Sequence, residues 1–530
     1  MSEAIYETRP ITADSAVNIG KPVDRFFGAK THIPDWYPET TKWSELGAPK
    51  ALGNCMFVYP GVTSPGWNSC REGQTSNEAV YMSHGMAYVS SALKSRGHLV
   101  WLLDMRTCRH WREFEERVRA AEYDVAFIGF LSLDVFTATC VVRSLKEIHP
   151  DRPVVVGGLH VSCCEMLEFP AKPGQKYYLP DLYLNRDSEM HPILRLYLDM
   201  KGEKSYDPAK FQQANHVIWN EAEIAACKVV EELLSGNEVP PFINAHTIPD
   251  LNETPHADRD LFNLEYEANA PLLSYLPKPF FTVTFGRGCP FKCAFCNVGT
   301  QLSSAKVRLI EPDYFMNELQ TLHNRFGKIG SLMIHDDILL YPKWLEEWNL
   351  KLKTRFGYTP YWCQMRADFI CKHPDLMRIM AECGLVWVSV GLESGSQRQL
   401  DMMGKQTTVA QNIESCRILR ELGVNVFGNW MLGLPDEDHS DRLATAEMMT
   451  EVARGGIRHS ASVYCNYPGT SLEKYIEIKG LLLPEWYTKS HFPWQRSLAG
   501  IDYQDIYTVQ GKVTRTHPDR ATQPKYWREK

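Results

Sequence analysis

Two trains of short apolar stretches, each alternating with amphipathic segments of helical length, divide the chain into two α/β halves. In the first, β-rich stretches at 55–59, 99–103, 125–130 and 154–156 alternate with helical patterns at 86–95, 111–121 and 135–148. In the second, stretches at 281–285, 331–335, 361–365, 386–390, 424–432 and 459–464 alternate with helical patterns such as 312–326, 375–383, 408–422 and 442–454. A short continuous apolar run suits a strand buried on both faces, and strand–helix alternation implies a parallel sheet covered by helices. The first series therefore predicts a doubly wound sheet. The six strand–helix units of the second predict a partial (β/α)6 barrel.

Residues 1–49, rich in Pro, Thr and charge, read as an irregular N-terminal arm before a first domain at 50–220. Prolines and the run Leu251-Asn252-Glu253-Thr254-Pro255 make 221–279 a connecting segment before the barrel at 280–480. The extension 481–530 carries Trp486, Tyr487, His491, Phe492, Trp494 and Arg496. These aromatics either close the barrel mouth over a small molecule or pack as a C-terminal extension.

Composition narrows the class. With 530 residues and 44% hydrophobic content the chain has material for more than one core. A net charge of −7 without a basic block gives nucleic acid no electrostatic footprint. The N-terminus lacks the basic and apolar parts of a secretory signal, and no uninterrupted apolar run reaches about 18 residues, so a soluble cytoplasmic protein without a membrane span is expected. Fifteen cysteines are sparse in a chain this long and odd in number, which fits a reducing compartment.

Three of those cysteines are set apart by spacing. Cys289, Cys293 and Cys296 lie in Gly288-Cys289-Pro290-Phe291-Lys292-Cys293-Ala294-Phe295-Cys296, directly after the first barrel strand. Three thiolates can hold three irons of a 4Fe–4S cluster and leave the fourth open to a chelating molecule, whereas a cluster used only for electron transfer is normally closed by four cysteines. A zinc site would want a fourth Cys or His at compatible spacing, and His323 is 27 residues beyond Cys296. The Cys-x-x-x-Cys-x-x-Cys pattern, with Phe295 before its last cysteine, resembles the radical SAM superfamily. There S-adenosyl-L-methionine chelates the open iron through its amino and carboxylate groups.

The first half resembles the cobalamin-binding, Rossmann-like domain that precedes many radical SAM barrels. The matching features are Ser83-His84-Gly85-Met86-Ala87-Tyr88, the run from Gly97 to Asp104, and Val154-Val155-Val156-Gly157-Gly158-Leu159-His160. Ligands of open parallel sheets bind beyond the strands' carboxyl ends, where Ser132, Gly157 and Gly158 fall, and paired glycines permit close backbone approach. The chain lacks the Asp-x-His-x-x-Gly pattern that supplies a lower cobalt ligand elsewhere. Arg186-Asp187-Ser188-Glu189 stands where the family often has Gly-Glu-Gly-Glu.

At the barrel strand ends lie His335-Asp336-Asp337, Arg366-Ala367-Asp368, Gly391-Leu392-Glu393-Ser394 and Gly433-Leu434-Pro435. By the resemblance, Asp336 stands where the methionine amino group is received, although the usual Gly-Gly-Glu is missing. Glu393 and Ser394 stand at the ribose hydroxyls, and Gly433 would let adenine or methionine pass closely. A carboxylate can accept two hydroxyl hydrogen bonds at once, which suits Glu393 to that place. Arg366 and Asp368 can equally pair at the rim, and Asp336 can cap a helix.

The resemblance implies a class B radical SAM methyltransferase using a 4Fe–4S cluster, S-adenosyl-L-methionine and cobalamin as methylcobalamin. It would methylate an unactivated carbon, or a phosphinate phosphorus, of a small metabolite, as in antibiotic biosynthesis. A flavodoxin or ferredoxin would supply electrons. A cyclase or rearrangement enzyme without methyl transfer, and a non-catalytic cobalamin or redox-sensing protein, are the alternatives.

Overall fold

The computed structural model describes residues 43–60, 82–131, 134–163, 192–204, 210, 214–245, 247–269, 276–296, 298, 307–335, 341–467, 470–486 and 496–514. Its first half is one parallel sheet of β1 (Asn54–Tyr59), β2 (Leu99–Asp104), β3 (Val125–Gly129), β4 (Val154–Gly157), β5 (His216–Trp219) and β6 (Phe242–Asn244), in the order β2-β1-β3-β4-β5-β6. Alternate β1 residues serve two cores: Met56 and Val58 pack with the helices Trp111–Ala120 and Val135–Ile148, while Cys55 and Phe57 pack with His84–Ser95 and Ala222–Leu234. Burial on both faces is why these strands read as unbroken apolar runs.

One expectation needs correction. The stretch 221–279 is more than a connector, because its helix Ala222–Leu234 and strand β6 complete the first sheet.

The second half is a six-stranded parallel sheet of β7 (Phe280–Val283) and, after the small antiparallel pair β8 (Gly286–Arg287) and β9 (Arg308–Leu309), of β10 (Ser331–Ile334), β11 (Tyr361–Met365), β12 (Leu385–Glu393), β13 (Asn425–Leu432) and β14 (Arg458–Val463). The order β14-β13-β12-β11-β10-β7 follows the chain, as a partial barrel requires. Val388, Val390, Val426, Leu332 and Phe281 pack outward on the helices. Phe280, Trp387, Trp362, Met333 and Phe427 pack together on the inner face.

Several barrel helices have their start and stop written locally. Pro312 opens the helix that Gly327 ends at φ 75°, and Thr408 with Gln411 forms a capping box on Val409–Glu421. The outer edge of β7 is covered by side chains: Glu267 accepts from Thr282 N at 2.7 Å, and Arg259 Nη1 donates to Thr282 O at 2.9 Å. Covering an edge strand in this way blocks pairing with another chain. No helix among the described residues is long and apolar enough to cross a membrane.

Candidate active site

The cysteine loop is the excursion between β8 and β9, whose pairing of Gly286 with Leu309 and Arg287 with Arg308 closes its base. Two arginines of that base reach the first half of the chain. Arg287 Nη2 meets Glu223 Oε1 at 2.5 Å, and Arg308 Nη2 meets Glu221 Oε1 at 2.5 Å. Within the loop Cys296 N donates to Cys293 O at 3.0 Å, while Ala294 N donates to Met403 O at 2.8 Å and Ala294 O accepts from Leu472 N at 2.9 Å. Cys289 and Cys293 are buried and Cys296 is half-buried.

Around the loop stand the ends of β11 and β12. Lys405 Nζ lies 2.7 Å from Glu393 Oε1 in a buried ion pair, and 5.8 Å from the Phe295 ring centroid. The pair therefore abuts the segment between Cys293 and Cys296. Glu393 has φ 58°, a left-handed conformation that a residue with a side chain adopts at a cost, and the β12–β13 register shifts between Gly391 and Glu393. A side chain on Gly391 would run into the Glu393 carboxylate, so the glycine leaves the space the ion pair occupies.

Arg366 follows β11 and touches the loop directly. Its guanidinium lies 3.6 Å from the Phe291 ring centroid, and Nη1 points at Cys293 Sγ at 3.8 Å. The rim pairing anticipated for Arg366 and Asp368 is present at 2.9 Å.

Other expected positions have different surroundings. The Ser394 hydroxyl is fully buried 3.0 Å from Thr445 Oγ1 and accepts from Ser396 N at 3.1 Å, so it holds the turn after Glu393 rather than facing an open site. Gly433 has φ 82°, donates its N–H to Glu437 Oε2 at 2.6 Å, and would bring a Cβ within 2.9 Å of Ile506 Cδ1. Turn geometry and packing thus explain this glycine without a ligand. Asp336 lies outside the described residues, as does Ser132.

In the first sheet, the order β2-β1-β3 reverses chain direction between β1 and β3, which makes their carboxyl ends the topological switch point where ligands of such sheets bind. Gly157 and Gly158 lie one strand further on, at the end of β4. Gly158 has φ 106°, and a Cβ there would sit 2.6 Å from Phe130 O. Its close backbone approach is to the neighbouring strand end.

One contact missed by sequence reasoning joins the halves. His84, at the start of its helix, places Nε2 3.2 Å from Thr282 Oγ1 on β7, and its ring lies 5.6 Å from that of His335 at the end of β10. Thr282 Oγ1 donates onward to Glu267, which leaves its lone pair for an Nε2–H of His84. Burial, reinforced by His335 and Arg259, holds the His84 imidazole well below its usual range, so it is neutral. Nothing local to residue 84 signals a contact with residue 282.

The donor set fits a cluster with one open iron: three thiols on one loop, with an N–H donor aimed at one sulfur. Among the described residues no three His, Cys, Asp or Glu side chains converge on one point as a single metal ion would need. A cubane places each thiolate on a separate iron, so it makes no such demand.

Residues 283–449 match the Radical SAM superfamily. They form a radical SAM domain. The resemblance drawn from the cysteine spacing is thereby borne out over this segment. An uncharacterized methyltransferase of Pyrococcus horikoshii is 22% identical over 408 residues, covering 75% of this chain and 79% of the relative. The anaerobic magnesium-protoporphyrin IX monomethyl ester cyclase of Cereibacter sphaeroides is 23% identical over 364 residues, 66% of this chain; the match spans 53% of the cyclase. Among solved structures, the cobalamin-dependent S-adenosylmethionine radical enzyme OxsB, with aqua-cobalamin bound, matches at TM-score 0.59 and 13% identity, over 90% of this chain and 70% of that one. This likeness is one of fold: a doubly wound domain placed before a radical SAM barrel, as the strand–helix alternation implied.

Proposed function

We propose that the protein is a cobalamin-dependent radical SAM methyltransferase acting on a carbon of a small metabolite. The observation carrying this reading is the cysteine loop at the end of the first barrel strand, tied through Arg287–Glu223 and Arg308–Glu221 to the Rossmann-like half. When bound, the cluster and S-adenosyl-L-methionine supply a 5′-deoxyadenosyl radical, and methylcobalamin supplies the methyl group.

The chain's own residues bind and orient. Cys289, Cys293 and Cys296 hold three irons. Glu393, fixed by Lys405 on one carboxylate oxygen, keeps the other for ribose hydroxyls. The carboxyl ends of β1 and β3 offer the cobalamin site, and His84 locks that half against β7. On the inner barrel face, buried Trp387 with half-buried Trp362 and Phe427 excludes water from the floor. A flavodoxin or ferredoxin is the proposed electron donor, and natural-product biosynthesis the proposed setting.

The cyclase similarity favours one second reading, radical ring closure without methyl transfer. Anaerobically reconstituted protein incubated with hydroxocobalamin, S-adenosyl-L-methionine and a low-potential reductant separates the two. Formation of S-adenosylhomocysteine is expected for the methyltransferase. Production of 5′-deoxyadenosine without S-adenosylhomocysteine would favour the cyclase.

A further inference from the structure

We propose that Arg366 is a positioning residue for electron delivery: acting through Cys293, it raises the reduction potential of the cluster. The inference rests on the cluster reading above. The cluster gains one electron from a low-potential one-electron donor, and the added negative charge spreads partly onto the ligand sulfurs. An N–H donor and a cation at one sulfur stabilise the reduced form more than the oxidised form.

The guanidinium is held so that one edge is left for this task. Nε donates to Asp368 Oδ1 at 2.9 Å, and Nη2 donates to Lys405 O at 2.6 Å and to Asp368 Oδ2 at 3.3 Å. The flat face rests on Phe291, 3.6 Å from the ring centroid, and the side chain is buried. Nη1 is the remaining nitrogen, and it is directed at Cys293 Sγ at 3.8 Å.

A rim ion pair kept for stability alone would need neither the ring stacking nor the sulfur contact. Lysine, a compact point charge without the planar fork, could not make these contacts together. Asp368 lies on the opposite edge from the sulfur, so its charge pulls against the effect without cancelling it. Removing either partner should therefore move the potential in opposite directions.

The test is a potentiometric titration of the anaerobically reconstituted protein, without S-adenosyl-L-methionine, read by electron paramagnetic resonance of the reduced cluster. Arg366→Gln should lower the midpoint, cutting the ratio of reduced to oxidised cluster about tenfold at a fixed poise, which is about 59 mV for one electron. Arg366→Lys should recover part of the shift, and Asp368→Asn should raise the midpoint. Wild-type midpoints in cluster-loaded Arg366→Gln and Asp368→Asn would overturn the proposal. If Arg366→Gln assembles no cluster, Asp368→Asn decides, and an unmoved or lowered midpoint overturns it. A wild-type protein that assembles no 4Fe–4S cluster would instead defeat the cluster reading, and this inference with it.

Discussion

Breaking the Glu393–Lys405 pair should weaken the barrel more than most single substitutions. The contact is 2.7 Å, and the two side chains are 10% and 8% exposed, so it belongs with buried ion pairs rather than surface ones. Removing one partner of a buried pair costs about 3–5 kcal/mol, because the other charge is left uncompensated. Lys405→Met does this while keeping the bulk of the stem. It also releases Glu393 from the contact that holds its left-handed backbone, a conformation costing on the order of 1–3 kcal/mol by itself. For a domain of this size about 3–5 kcal/mol corresponds to a fall of roughly 6–20 °C in the barrel's melting temperature. Circular dichroism melts of the full chain read it directly. The double variant Lys405→Met/Glu393→Gln should recover much of the loss, since no unpaired charge remains. A fall of less than about 1 kcal/mol for Lys405→Met, with the two substitutions strictly additive, would refute the argument.

Gly158→Ala meets the Phe130 backbone at a positive φ, so it should cost more than about 1 kcal/mol and loosen retention of added cobalamin in gel filtration. Burial pushes the Glu437 carboxyl up to about 7 from its ordinary 4.5. A folded-state value above the unfolded one gives stability that is complete below pH 4.5 and lost as pH rises through 7. Glu437→Gln should flatten that slope in urea unfolding followed across this range; an unchanged slope would count against the assignment. Burial also holds His84 well below the usual imidazole range and His335 at about 4. Their stabilising contributions are present above pH 6.5 and lost on acidification, that of His335 as pH falls through about 4, so the hydrogen-exchange protection factor at Thr282 should fall on acidification, and less steeply in His84→Gln. Glu393→Ala should weaken S-adenosyl-L-methionine binding by calorimetry while iron content stays at the wild-type level.

Elements whose pattern is local were legible. Both strand–helix series appear in the structure because central strands such as β1, β3 and β12 are buried on both faces and several helices carry local start and stop signals, as with Pro312 and Gly327. The three cysteines were legible because their spacing is itself the chemistry. What escaped was non-local. Lys405 finds Glu393 because the short helix Gln397–Met402 after β12 returns the chain to the cysteine loop, where Met403 O accepts from Ala294 N, and no motif records that return. The helix Ala222–Leu234 was hidden by the prolines that follow it, and its acidic residues acquire meaning only beside distant partners, Glu223 beside Arg287, Glu231 beside Arg96 and Glu232 beside Lys50. Gly158 carried a sound signal for close approach, but the approaching group is the Phe130 backbone. Ser394 fitted a ribose-binding pattern, and its hydroxyl is spent on Thr445.

The central claim is that Cys289, Cys293 and Cys296 hold a cluster that reductively cleaves S-adenosyl-L-methionine. It is tested most directly by quantifying 5′-deoxyadenosine from anaerobically reconstituted, dithionite-reduced protein beside the variant with all three cysteines changed to Ala. The wild-type chain should form it and show a 4Fe–4S signal; the variant should do neither. A variant that keeps its iron and still forms 5′-deoxyadenosine would contradict the account.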